Sequence, residues 1–303
     1  MKENTQMKKE NQIDGTIVKG IAGFYYVDTG NAVYECKARG VFKNKSMKPY
    51  VGDDVVLDLT DGDTPVISGI RERRNVFDRP PVANVEQFIV VNAFESPAPN
   101  FVVIDKFLTM AELKDVDVVM CFNKADLSSE KEAISLKRIY GDIYPVIFAD
   151  ARTEEGIWEL IPYLKGKKSA LAGPSGVGKS TIMNSLIHDL NAETSTVSEK
   201  TKRGRHTTRH VELFHLDFGG MIFDTPGFTS FDAPLADEAE LAYLFREFSE
   251  YTDRCRFNGC RHQNEPGCAV KDAVLDGSIS ESRYKSYLGQ LEEIRQREKK
   301  KYT

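Results

Sequence analysis

The sequence predicts a multidomain chain: an N-terminal β-barrel of the OB-fold type, a central α/β domain on a mostly parallel sheet, and a C-terminal, mostly helical domain around a metal site. Three observations predict it. From Asp14 to Ile70, short β-rich runs follow one another between Gly, Asn and Asp. After residue 73, apolar strands alternate with helical segments. From Asp232 onward the chain is charged and helical, interrupted by three closely spaced cysteines. The expected boundaries are 1–73, 74–231 and 232–303.

The first segment contains "GTIVKG", "GFYYVDT", "AVYECKARG" and "DDVVLDL", about five strands in under sixty residues. That pattern fits an OB barrel, whose strand face commonly holds RNA or single-stranded DNA. Phe24, Tyr25, Tyr26, Tyr34 and Phe42 are the candidate stacking residues, with burial in the core as the alternative. After the charged connector "RERRNVFDRPP", strands are expected at "QFIVVNA", "VDVVMCF", "PVIFAD", "KSALAG", "HVELFHL" and "GMIFDTPG". Helices are expected near Asp105 to Leu113, Glu130 to Tyr140, Glu154 to Leu164 and Lys179 to His188.

Composition bounds the function. The 303 residues are 41% hydrophobic and 10% aromatic, ordinary for globular protein. The opening "MKENTQMKKENQ" lacks an apolar signal core, and no long apolar run suits a membrane span, so a cytoplasmic protein without membrane contact is expected. Five cysteines, three of them between 255 and 268, suit a metal site in a reducing compartment better than a disulfide framework. A net charge of -5 argues against a general nucleic-acid coat protein, although local basic runs matter more than the sum. Monomer is the default expectation.

"GPSGVGKST" at 173–181 satisfies G-x-x-x-x-G-K-[ST] between a strand and a helix, the context a phosphate-binding loop needs. Residues Gly173, Pro174, Ser175, Gly176, Val177, Gly178 and Thr181 would form the phosphate-binding loop, whose glycines let the available backbone amides point at the phosphates beside a helix N-terminus. Lys179 would reach the β- and γ-phosphates and Ser180 would ligate Mg²⁺. "DTPG" supplies Asp224 as a second Mg²⁺ partner, with the Gly227 amide placed to sense a γ-phosphate. In "GRHTTRH", Thr207 or Thr208 is the candidate to close over the metal.

"NKAD" supplies Asn123, Lys124 and Asp126. A carboxylate accepts both guanine N1–H and the N2 amino group, whereas adenine would leave it unpaired, so Asp126 selects guanine and the nucleotide is GTP or GDP. Asn123 would tie this loop to the phosphate loop. A further base contact is expected from the Ala151 amide in "FADARTEEG", where GTPases often carry Ser-Ala and Asp150 departs from that pattern. The elements run base reader, Ala151 loop, phosphate loop, switch, D-x-x-G. This is the common GTPase cycle cut at another point, a circular permutation. Cys255, Cys260, His262 and Cys268 make C-x4-C-x-H-x5-C, four ligands that close a tetrahedral, structural Zn²⁺ site.

The permuted order, "GRHTTR", "RPPVANVEQ" after a barrel and the cysteine cluster resemble the bacterial ribosome small-subunit-dependent GTPase A family over nearly the whole chain. The resemblance implies an OB-like domain, a circularly permuted GTPase domain and zinc at those four positions. It also implies GTP hydrolysis stimulated by the small ribosomal subunit during late maturation. Phe228 stands where many GTPases place a water-orienting Gln, so intrinsic turnover should be slow. His206 in the switch is the candidate to polarise water, alongside Lys179 and Thr208 at the transferring phosphate, with a plain RNA-phosphate contact as its alternative. Three basic runs suggest rRNA contact: Lys200, Lys202, Arg203, Arg205 and Arg209; Arg254, Arg256 and Arg261; Lys37, Arg39, Lys43, Lys45 and Lys48. Competing readings are a P-loop kinase or adenine nucleotidase, and a non-catalytic RNA-binding protein.

Overall fold

The ten residues Gln12–Ile21 form one long strand, β1, and its length is what closes the barrel. Its first half pairs with β4 (Asp54–Asp58) and its second half with β2 (Phe24–Asp28), and the register shifts between Ile17 and Lys19. Such a shift bends a strand so that one segment serves two neighbours. Strand β2 continues to β3 (Val33–Ala38), which pairs in parallel with β5 (Val66–Ile70), and β5 returns antiparallel to β4. The order β1-β2-β3-β5-β4-β1 is therefore a closed five-stranded barrel. The computed structural model describes residues 11–40, 42, 47–59, 64–188, 211–228 and 236–301.

The barrel interior is aliphatic. Ile17, Val27, Val55, Leu57 and Ile67 are fully buried together with Cys36. Phe24, Tyr25, Tyr26, Tyr34 and Phe42 are all half-buried, so none of them fills the interior. At the barrel's end, buried Asp53 is gripped by Arg73 through two hydrogen bonds of 2.7 and 2.8 Å, and Arg73 lies over the Tyr50 ring. This joins the loop before β4 to the connector that leaves the barrel. A short hairpin follows, β6 (Val76–Asp78) with β7 (Pro81–Ala83).

The chain divides into two compact units, residues 1–86, 164–171 and 189–227, and residues 87–163, 172–188 and 228–303. The first unit therefore combines the barrel with later strands. Strand β8 (Gln87–Ala93) opens the second unit with β9 (Asp117–Asn123) and β10 (Val146–Ala149), all parallel. Every residue of β8 and six of seven in β9 are buried, the continuous apolar pattern of strands covered on both faces. Strand β11 (Lys168–Ala172) leads to the phosphate loop, and β12 (Glu212–His215) and β13 (Met221–Phe228) form an antiparallel pair. In the first unit β12 also pairs with β1, where Lys19 Nζ lies 3.0 Å from Glu212.

Helix α1 spans Phe101–Leu113, four residues longer at its start than the sequence suggests, because Asn100 caps it by accepting from the Val103 N–H at 3.3 Å. Helix α2 (Glu130–Tyr140) begins with a capping box between Ser129 and Glu132. The helix expected over 154–164 is shortened to two small helical turns, Ile157–Leu160 and Ile161–Leu164. Glu154 and Gly156 hold left-handed backbone angles, φ 64° and 74°, which no α-helical start accommodates. Helix α3 spans Lys179–His188. Among the described residues no helix is long and apolar enough to cross a membrane.

The C-terminal residues gather a small core of Leu241, Phe245, Phe248, Val270, Ile279, Tyr287, Leu291 and Ile294 around helices α4 (Ala269–Asp276) and α5 (Glu281–Lys301). This core docks on α1 through a buried polar knot. Arg283, with no exposed area, sits 2.8 Å from Asp105 of α1 and 2.7 Å from Glu247, and its guanidinium lies 4.6 Å from the Phe245 ring centre. The Tyr140 hydroxyl completes it, donating to Asp105 at 3.0 Å. Removing one partner of such a knot strands the other charges away from water. Arg283→Ala is expected to cost about 3–5 kcal/mol, read as a lower urea midpoint on the C-terminal tyrosine signal.

Candidate functional site

The phosphate loop is shaped by two contacts that only glycine permits. At Gly173 (φ 135°) a Cβ would lie 2.0 Å from the Val91 carbonyl, and at Gly178 (φ 98°) it would lie 2.1 Å from Asn123 Nδ2. Gly173 N–H donates to the Phe228 carbonyl at 3.1 Å, so the loop's first residue is pinned to the end of β13. Val177 is fully buried and anchors the middle of the loop, while Ser175, Gly176, Ser180 and Thr181 are exposed and Pro174 is half-buried. Lys179 donates to the Gly173 and Pro174 carbonyls at 2.7 and 2.6 Å, and burial lowers its pKa. The loop thus wraps its own ammonium at the positive end of α3, an arrangement suited to a polyphosphate.

Asn123, at the end of β9 and buried, binds two other loops with one side chain. Its Nδ2 donates to the Val177 carbonyl at 2.8 Å and its Oδ1 accepts the Ala151 N–H at 2.9 Å. The Ala151 amide is therefore committed to Asn123. Lys124 has φ 61° and donates to the Ser96 carbonyl at 2.6 Å, fixing the reader against the loop before α1. Asp126 is the middle residue of the turn Ala125–Leu127 and is ion-paired with Arg152. The Asp150 carboxylate accepts the Arg152 backbone N–H at 3.0 Å, a bond that holds its pKa below the usual carboxylate range. Asn123, Lys124, Asp126, Ala151 and residues 173–181 all belong to the second compact unit.

Asp224 is the fourth residue of β13 and stands opposite Glu212 of β12; Asp224 and Gly227 both belong to the first unit. Phe228 follows, buried edge-on against Phe88 with centroids 4.9 Å apart. His206, Thr207 and Thr208 lie outside the described residues, as do Lys43, Lys45, Lys200, Lys202, Arg203, Arg205 and Arg209. Of the other expected RNA contacts, Arg39 is ion-paired with Asp58 and Lys37 lies over the Phe24 ring. Lys48 is exposed. Arg254 and Arg256 lie over Tyr251 and Phe257, each 5.5 Å from the ring centre, and Arg261 is 3.9 Å from Glu238.

The donor atoms of Cys255, Cys260, His262 and Cys268 all lie within 4.8 Å of one another. His262 Nδ1 is 3.6 and 3.4 Å from the Cys255 and Cys268 sulfurs, which are 4.0 Å apart. A tetrahedron with Zn–S arms of about 2.3 Å and a Zn–N arm of about 2.0 Å has edges of about 3.5–3.8 Å. The cluster therefore has the donor set and size for one tetrahedral ion. Burial lowers the His262 pKa, keeping the imidazole neutral and able to ligate. The loop is held from outside: Tyr284 and Tyr287 of α5 donate to the His262 and Arg261 carbonyls at 2.6 and 2.8 Å. Burial would raise the Glu265 pKa, yet the N–H groups of Arg261, Gln263 and Asn264 hold it down to about 2.

Sequence reasoning missed Arg152, Glu265, Tyr284 and Tyr287. Arg152, Tyr284 and Tyr287 act on residues that folding brings near, and Glu265 braces its own turn without a recognisable local motif.

Comparison with known proteins agrees with this geometry. The family model described as RsgA GTPase matches residues 70–234, and the RsgA N-terminal domain model matches 14–67. A third, described as 50S ribosome-binding GTPase, matches 168–301. A protein of Caldanaerobacter subterraneus subsp. tengcongensis named small ribosomal subunit biogenesis GTPase RsgA is 46% identical over 96% of this chain and 99% of its own. One of the same name from Clostridium perfringens is 47% identical over 93% and 98%. The crystal structure of YjeQ from Thermotoga maritima superposes with a TM-score of 0.80 at 36% identity, covering 93% of this chain and 98% of that one. YloQ, titled a circularly permuted GTPase, gives 0.81 at 32% identity, covering 96% and 98%. A chain with a phosphate loop tied by Asn123 to an N-K-x-D that precedes it in sequence, a five-stranded barrel and a Cys3His cluster is thus matched along nearly its whole length: it belongs to the RsgA GTPase family, as a circularly permuted P-loop GTP hydrolase.

Proposed function

We propose that this GTPase acts on the small ribosomal subunit late in its maturation, binding it as the GTP form and leaving after hydrolysis to GDP and phosphate. The name carried by relatives that match end to end supports the small subunit. The large-subunit description belongs to a model matching only 168–301. The observation that carries the nucleotide half is Asn123, which holds reader and phosphate loop in one frame. In this reading Asp126 reads guanine, Lys179 and residues 173–181 bind the phosphates, and Gly227 senses the γ-phosphate. Ser180, Asp224 and Thr207 or Thr208 would hold Mg²⁺, which neutralises phosphate charge when bound. Cys255, Cys260, His262 and Cys268 would hold one structural Zn²⁺.

Residues 1–73, 74–231 and 232–303 would serve as RNA-binding barrel, GTPase and zinc domains of a monomeric, cytoplasmic protein. Phe228 cannot orient water by hydrogen bonding, which leaves slow turnover until the subunit orders the switch and brings His206 to the water. Arg254 and Arg256, backed by aromatic rings, are the described residues best placed to bind rRNA.

GTP turnover measured at low salt should stay within roughly 10⁻⁴–10⁻² s⁻¹ for the protein alone and with large subunits, and rise strongly only with small subunits. Lys179→Ala should lower the stimulated rate by roughly 10²–10³-fold. Asp126→Asn should shift nucleotide preference from guanine to xanthine by roughly a hundred-fold or more in binding titrations; an unchanged preference would instead favour a kinase-like or adenine site. Metal analysis should find one zinc per chain, and Cys260→Ser should abolish it together with the near-ultraviolet signal of Tyr284 and Tyr287.

A further inference from the structure

Asp126 already has a partner within its own chain. The Arg152 guanidinium closes on Asp126 Oδ2 across a separation of 26 residues. Arg152 is aimed there by Asp150, whose Oδ1 accepts the Arg152 backbone N–H at 3.0 Å and lies 3.5 Å from Arg152 Nε. The turn that presents it is anchored: Asp150 N–H donates to the Glu155 carbonyl at 2.9 Å, and its carboxylate is only 7% exposed. The Arg152 side chain is 69% exposed, so it can swing into water without disturbing that turn.

A guanidinium and the N1–N2 edge of guanine are chemically alike. Both are planar and set neighbouring N–H donors on one carbon, the pattern a carboxylate binds as a pair. We infer that Arg152, positioned by Asp150, is an intramolecular stand-in for guanine that occupies the base-reading carboxylate and must be displaced by the nucleotide. This rests on Asp126 being the guanine reader. It gives a role to Asp150, the residue that departs from the Ser common in GTPases: a hydroxyl at that position would not hold Arg152 by charge. Because GTP and GDP carry the same base, the competition weakens both by one factor and sets overall affinity without biasing the switch. Apparent affinity falls by the fraction of molecules in which Asp126 is open. For a solvent-exposed ion pair that is roughly two- to five-fold.

The test is a double-mutant cycle on the full-length protein, by calorimetric titration with GDP and xanthosine diphosphate. Arg152→Ala should tighten GDP binding roughly two- to five-fold, and Asp150→Ser should tighten it in the same direction by less. In the Asp126→Asn background, which lacks the carboxylate, Arg152→Ala should leave xanthosine diphosphate affinity nearly unchanged. Weaker or unchanged GDP binding by Arg152→Ala would overturn the inference, as would an equal gain in both backgrounds. Failure of Asp126→Asn to exchange GDP for xanthosine diphosphate would instead remove the guanine reading itself.

Discussion

The nucleotide site depends on one buried amide. Asn123 offers a donor to Val177 and an acceptor to Ala151, so three loops far apart in sequence share a single frame. An amide is the side chain for this because it carries both functions on one rigid plane, and the two partners fix which way it faces. Gly178 is the counterpart, since any side chain there would occupy the space of the Asn123 amide nitrogen. Loop and reader are thus one interlocked element rather than two adjacent ones. In a buried site either partner left unmatched would cost more than the bond contributes.

The permuted order becomes intelligible from this contact. What a nucleotide requires is the spatial arrangement of loops, and Asn123 fixes that arrangement regardless of where the chain is cut. Permutation changes what the switch strand leads into. β13, bearing Asp224, is paired to β12, and β12 to β1 of the barrel, with Lys19 bonded to Glu212 opposite Asp224. The barrel strand β1 is thus two backbone ladders from Asp224. On the other side, α1 starts just after the loop that receives Lys124, and Arg283 fastens the C-terminal helices to α1.

The metal cluster and the Arg283 knot address the same deficit. The C-terminal segment is too small to bury a large core, and a buried ion pair and a donor cluster sized for one tetrahedral ion add order where apolar area is limited. Tyr284 and Tyr287 reach from α5 to the carbonyls of the Cys3His loop, so the loop and the helix stand or fall together. Glu265 adds a local brace by collecting three backbone N–H groups that the tight ligand turn leaves unpaired.

Much of this was legible in the chain itself. The strand-loop-helix around Gly173 to Ser180, the N-K-x-D, the Cys3His cluster and the order of the domains are local patterns, and local patterns are set by the spacing of residue types along the backbone. The start of α1 and the break at Glu154–Gly156 escaped because caps and left-handed turns depend on single residues against a background of ambiguous propensity. The bend in β1 by which the expected barrel closes, the burial of Arg283, and the pairing of Arg152 with Asp126 escaped for a different reason. They join positions 38, 178 and 26 residues apart, and which distant polar groups meet is decided by how the packed elements align. The sequence by itself determined the phosphate loop, the unusual order of the GTPase motifs and the four members of the Cys3His cluster. Only the tertiary structure decided which side chains complete them, because a buried charge or amide finds its partner only after the apolar core has placed both.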